Sequence, residues 1–173
     1  MYMHKPSIAV QRRTYGNTHG DIVPKVVVLH STESHDYDGA KDIIGVLKYL
    51  EGTEDRLGVH FVTDAEGLIG QGASIKKMCY HCIGANSFSI GIEQIGFAKF
   101  SLTQWMTRRK QLRATAKLLA WMHLRLDIPL VRSVTHGVAL HRDFPEGTHW
   151  DPGYGYPIKS VLRMAKKYAK YGW

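Results

Sequence analysis

The sequence predicts an α/β fold: a mixed central β-sheet flanked by helices on both faces. Three observations carry this expectation. Strand-like and helix-like segments follow one another in the order strand, helix, strands, helix, strand, helix, the alternation expected when helices cover a sheet. The chain has 173 residues, which at roughly 150 residues per domain corresponds to one domain able to bury a core without disulfide staples. No internal repeat, low-complexity tract or Pro/Ser-rich linker divides it, so residues 1–173 read as a single domain.

Residues 25–30 (KVVVLH) read as a central strand, because the apolar run from Val26 to Leu29, closed by His30, is the signature of a buried strand. After a polar loop, Asp38 is placed to cap a helix reaching Leu50, with Ile43, Ile44, Leu47 and Leu50 on one face and Gly52 at its end. Residues 58–64 (GVHFVTD) and 68–71 flank the turn Ala65-Glu66-Gly67, a hairpin signal. Residues 90–95 (IGIEQI) alternate like a further strand, and the long loop before them reads as a binding loop rather than slack chain. A helix is expected from Thr103 to Leu126, with Leu112, Thr115, Leu119, Met122 and Leu126 inward and Pro129 beyond its end. Residues 131–135 read as a short strand. Pro157 opens a terminal helix that turns Ile158, Val161, Leu162 and Ala165 inward.

Composition narrows the class. Hydrophobic residues make up 44% and charged residues 22%, which excludes a largely disordered or collagen-like chain. No apolar run approaches the ~18 residues of a membrane helix, so no membrane insertion is expected. The N-terminal segment has too short an apolar stretch for a signal peptide, so synthesis is expected in the cytoplasm without built-in export. A formal charge of +8 favours polyanionic partners: nucleic acid, an anionic membrane or an anionic cell wall. The two cysteines, Cys79 and Cys82, form a lone C-x-x-C without a second metal-spaced pair, and they read as structural.

Ten histidines are present, and placement must select among them. His30 closes the apolar strand, where the loops of a sheet build ligand sites. A second cluster lies in residues 135–153 (THGVALHRDFPEGTHWDPG), with His136, His141, Asp143, Glu146, His149 and Asp151 in a loop rich in Gly and Pro. Side chains of these types are the ligands that zinc sites use.

Five segments, in order, resemble the zinc-dependent N-acetylmuramoyl-L-alanine amidases of the type 2 family, which includes phage endolysins and peptidoglycan recognition proteins. They are VVLHST at His30, VHFVTDAEG, YHCIG in place of WHAG, NSFSIGIE, and HRDFPEGTHWDPG. The resemblance spans residues 25–153 and continues weakly through the later helices; the family-like core is placed at about residues 25–165, behind an N-terminal arm of residues 1–24. It implies that His30, His141 and Asp151 hold Zn2+, with the fourth tetrahedral position open as catalytic zinc requires. Glu93, on the IGIE strand, matches the family's acidic residue and becomes the general base. His149 stands where many relatives have lysine, and it becomes the oxyanion donor. Val59 replaces a tyrosine that some relatives carry, which strengthens the case for Glu93. Strand alternation puts Glu93 on one face with Gly91 and Ile95 without settling whether that face is the site. His136 is the rival ligand to His141, and His60 and His81 are expected to line the site or support it.

The implied function is hydrolysis of the amide between N-acetylmuramic acid and L-alanine in bacterial peptidoglycan by a phage lysin. Such an enzyme acts on the wall once the membrane is opened, with a muropeptide substrate, an anionic wall as partner, and a monomeric state expected. A noncatalytic muropeptide-binding module is the alternative. A nucleic-acid-binding role for Arg108, Arg109, Lys110 and Arg113 is a weaker one, because no aromatic residues interleave them, and no nucleic-acid partner is expected.

Overall fold

The structure is a computed structural model that describes residues 4–11, 17–146 and 148–173. Residues 1–3 and 12–16 of the N-terminal arm and Gly147 of the His-rich loop fall outside the described residues. The strands are β1 (Val10–Gln11), β2 (Thr18–Asp21), β3 (Val26–Ser31), β4 (Phe61–Thr63), β5 (Ile69–Gln71), β6 (Lys77–Cys79), β7 (Ser89–Gln94) and β8 (Gly137–Leu140). The helices are α1 (Ala40–Glu51), α2 (Leu102–Thr107), α3 (Arg109–Leu126) and α4 (Ile158–Tyr171). Six strands form a mixed sheet in the order β1-β5-β4-β7-β3-β8, antiparallel only between β4 and β5, and β2 pairs with β6 in a separate antiparallel ribbon.

Strand β3 is buried along its whole length, which is why its sequence is continuously apolar rather than alternating. Val27 and Leu29 join Ile90 and Ile92 of β7 and Val138 and Leu140 of β8 in the core beneath α3 and α4. The opposite face carries Val26, Val28 and Ala139 against Cys82 and Ala85, and α1 covers its β4 side with Ile43 and Leu47 against Val59, Val62 and Ile95. Helices do lie on both faces. Period-2 alternation then dictates the side on which the polar strand ends emerge. His30 shares the face of Val26 and Val28, Glu93 that of Gly91, and His141, one residue past β8, that of Ala139.

Four local expectations are corrected. Helix α1 is capped by Gly39 rather than Asp38, whose carboxylate pairs with Lys41 while its carbonyl accepts from Lys41 N–H. The helix expected at 103–126 is two helices. Ser101 and Gln104 form a capping box at the start of α2, and the chain breaks helical geometry at Arg108. The Arg108 guanidinium there reaches inward to Asp36 and to the Ile95 carbonyl, while Trp105 is fully buried against Phe100 and Tyr156. No strand forms at 131–135. Val131 and Val134 are exposed, only a single bridge joins Arg132 to Val138, and β8 begins at Gly137 inside the segment read as loop. The long loop before β7 contains β6 and a 3-10 turn at Asn86–Phe88, so it is an ordered wall.

Of the basic cluster around the start of α3, Arg108 pairs with Asp36 and Lys110 with Glu66. Among the described residues no helix is long and apolar enough to cross a membrane.

Candidate active site

The parallel strands β3, β7 and β8 end together, and their carboxyl ends form the floor of a groove of about 1010 Å³. Register aligns the floor: His30 lies directly opposite Glu93, and Leu29 opposite Leu140 puts His141 next to His30. A buried ladder behind the strands fixes the His30 backbone. Gln94 Nε2 donates to the His30 carbonyl, while Gln94 Oε1 accepts from the Tyr156 and Thr115 hydroxyls.

His30, His141 and Asp151 are brought together. The two Nδ1 atoms are 3.0 Å apart, Asp151 Oδ1 is 3.0 Å from His141 Nδ1, and Asp151 Oδ2 is 3.4 Å from His30 Nδ1. All three residues are buried. Asp151 is held in place by the Ser31 N–H, which donates to Oδ2, and by the Arg142 N–H, which donates to the Asp151 carbonyl. Gly153 seats the turn that follows, packed directly on the Ala98 backbone.

Burial alone would raise the Asp151 carboxyl, but the His141 and His30 imidazoles beside it hold it well below the usual carboxylate range. Burial lowers the His30 imidazole and outweighs the opposing influence of the nearby Asp151 carboxylate. Three electron-pair donors turned toward one another in a dehydrated site repel unless a proton or cation lies among them. All three fall within 4.8 Å of one another, and two imidazoles with a carboxylate suit zinc, so the residues present fit that ion. Among the described residues no other group of histidine, cysteine and acidic side chains is gathered in this way.

Glu93 faces this groove, which settles the face that alternation left open. Burial pushes its carboxyl well above the usual range, the charges of Asp151 and Glu33 push the same way, and its buried Oε2 has no hydrogen-bond partner. A cation at the three donors acts in the opposite direction. His149 lines the groove with its ring stacked on His141 at 4.3 Å, and its side chain is 56% exposed. Val59 presents only an apolar wall.

His136 is exposed and outside the groove. His60 is structural: its Nε2–H donates to the Lys77 carbonyl and its Nδ1 accepts from Gly91 N–H, and burial brings its pKa down to about 4. His81 does more than line the site, since its Nδ1 lies 3.1 Å from His30 Nε2. Sequence reasoning passed over Glu33, whose Oε1 accepts from Ser31 Oγ and Ala98 N–H at the groove edge. Only its position three residues after His30 hinted at this. Cys79 and Cys82 are free and buried, and burial pushes both thiols up to about 12, which leaves them unreactive.

A sheet whose carboxyl edge opens into a groove floored by imidazoles and carboxylates is the layout of an α/β enzyme. The profile of the N-acetylmuramoyl-L-alanine amidase family matches residues 20–154. The chain belongs to that family of amide hydrolases. Solved structures of similar fold include the N-acetylmuramoyl-L-alanine amidase LysC from Clostridium intestinale, at TM-score 0.69 and 19% identity over 93% of this chain and 98% of that one. A mutant endolysin from Bacillus subtilis matches at TM-score 0.65 and 19% identity, covering 92% and 99% of the two chains. The Apis mellifera protein PGRP-SA matches at 0.68 and 20% identity, covering 90% and 94%. Identities this low speak for the fold alone. A comparison with curated protein sequences gives no significant match.

Proposed function

We propose that the chain cleaves the amide between the lactyl carbonyl of N-acetylmuramic acid and L-alanine in peptidoglycan, with one zinc ion held by His30, His141 and Asp151. The observation that carries this reading is the convergence of those three donors beside Glu93 at the floor of one groove. Bound there, zinc supplies Lewis-acid polarisation of the scissile carbonyl and a water nucleophile at neutral pH. Glu93 takes the proton of the attacking water on its unpartnered Oε2 and returns it to the leaving nitrogen. His149, at the groove mouth, donates an N–H to the oxygen that gains charge as the carbonyl becomes tetrahedral. The Ser31 N–H holds the Asp151 carboxylate in position throughout.

At about 1010 Å³ the groove has room for more than the reacting bond. Tyr49, Tyr80 and Ile83 form an exposed apolar rim suited to sugar rings and the stem peptide, and the +8 charge favours an anionic wall. A role in host-cell lysis as a phage endolysin completes the proposal, as the resemblance of the five sequence segments implies. The test is to digest purified peptidoglycan and identify the new ends by mass spectrometry. Free L-alanine amino termini are expected. New reducing sugars would indicate a glycosidase, and unchanged wall would indicate a binding module.

A further inference from the structure

We propose that His81 is a positioning residue for His30: a one-way chain of hydrogen bonds through His81 and Ser89 fixes the His30 tautomer so that its Nδ1 lone pair faces His141 and Asp151. This rests on the reading of His30 as a metal ligand. The chain starts from a group that cannot reverse. Ser89 Oγ lies 2.7 Å from the Ala85 carbonyl, which can only accept, so the single hydroxyl hydrogen is committed there. Ser89 Oγ can then only accept from His81 Nε2, 3.2 Å away, which puts the ring hydrogen of His81 on Nε2. His81 Nδ1 is left with a lone pair and accepts from His30 Nε2–H at 3.1 Å. With its hydrogen on Nε2, His30 presents Nδ1 unprotonated, and Nδ1 is the atom 3.0 Å from His141 Nδ1.

The surroundings hold this chain in place. Asn86 Oδ1 accepts from the His81 and Cys82 N–H groups, pinning the loop that carries the imidazole. The ring lies over Gly91 of β7, where a Cβ would come within 2.8 Å of His81 Cγ and Nδ1. The His81 and His30 ring centroids are 5.2 Å apart with their planes 87° to one another. A partner that orients a ligating histidine in this way is commonly worth 10- to 100-fold in metal affinity, here about that range.

The test measures zinc affinity by chelator competition in wild type, His81→Phe, His81→Asn, Ser89→Ala and His30→Ala, together with long-range 1H–15N spectra of the metal-free wild type. The wild-type spectrum should show His30 with its hydrogen on Nε2. His81→Phe should lose about 10- to 100-fold in affinity. Asn places an acceptor oxygen close to the Nδ1 position, so His81→Asn should recover most of it. Ser89→Ala should lose several-fold and leave His81 in a mixture of tautomers. A wild-type His30 with its hydrogen on Nδ1 overturns the proposal even if every variant misfolds, and so does unchanged affinity in folded His81→Phe. Failure of the underlying reading looks different: His30→Ala then binds zinc as tightly as wild type.

Discussion

Two glycine-to-alanine changes should move stability in opposite directions, and the reason can be worked from clearances alone. Gly153 follows Asp151 by two residues, has φ +76°, and a Cβ there would fall 1.7 Å from the Ala98 carbonyl oxygen. Backbone strain of about 1–3 kcal/mol and overpacking against main chain of about 1–3 kcal/mol both act against Gly153→Ala. The sum is on the order of 4 kcal/mol, which for a chain of this size lowers Tm by roughly 10 °C. Gly45 lies inside α1, where a Cβ meets nothing within 4 Å. Gly45→Ala should therefore stabilise by roughly 0.5–1 kcal/mol, raising Tm by about 1–4 °C. Denaturant melts and thermal scans of the metal-free proteins read both effects. The Gly153 variant should also bind zinc more weakly, because the turn it strains carries Asp151. A Gly153→Ala protein as stable as wild type, or a Gly45→Ala protein equally damaged, would refute the reasoning.

Glu93→Gln should keep fold and zinc but lose about 10²- to 10⁴-fold in turnover, as expected for a general base, while the exposed Glu146→Gln changes little; equal mild losses at both positions would strip Glu93 of its role. His149→Ala should retain zinc and lose about 10²- to 10³-fold in kcat, with His149→Lys restoring part of it; superimposable rates would make His149 a bystander. Metal-free protein should lose stability as pH falls from 6.5 toward about 4, because the unfolded chain takes up protons that buried His60 resists until about pH 4. That gap corresponds to about 3 kcal/mol, present in full above pH 6.5, with His30 and His81 acting in the same direction. Urea melts across the window should be visibly shallower in pH dependence for His60→Gln, and a flat wild-type profile would contradict the assignment.

The centre of the sheet was legible because burial on both faces leaves an uninterrupted apolar run, as in β3, and the two clusters at its carboxyl edge were legible from residue type. The edges were not. Strands β2 (THGD) and β6 (KMC) carry no apolar alternation and exist by pairing with each other, which local sequence does not encode. Strand β8 went unread because Gly137 and the neighbouring histidines look like loop, whereas exposed Val131 and Val134 mimic a strand. The break at Arg108 has no Gly or Pro to announce it and follows from a tertiary ion pair with Asp36. The face of Glu93 became readable only with the register that sets it opposite His30. The bond between His81 and His30 joins residues whose proximity depends on the whole loop before β7.

The most direct test of the central claim is a zinc titration of metal-free protein, following the release of L-alanine amino termini from purified peptidoglycan alongside metal content. Activity should rise linearly and saturate at one zinc per chain, and His30→Ala and Asp151→Asn should stay inactive at the same equivalents. Full amide cleavage by exhaustively chelated wild type, or undiminished cleavage by His30→Ala, would contradict the account.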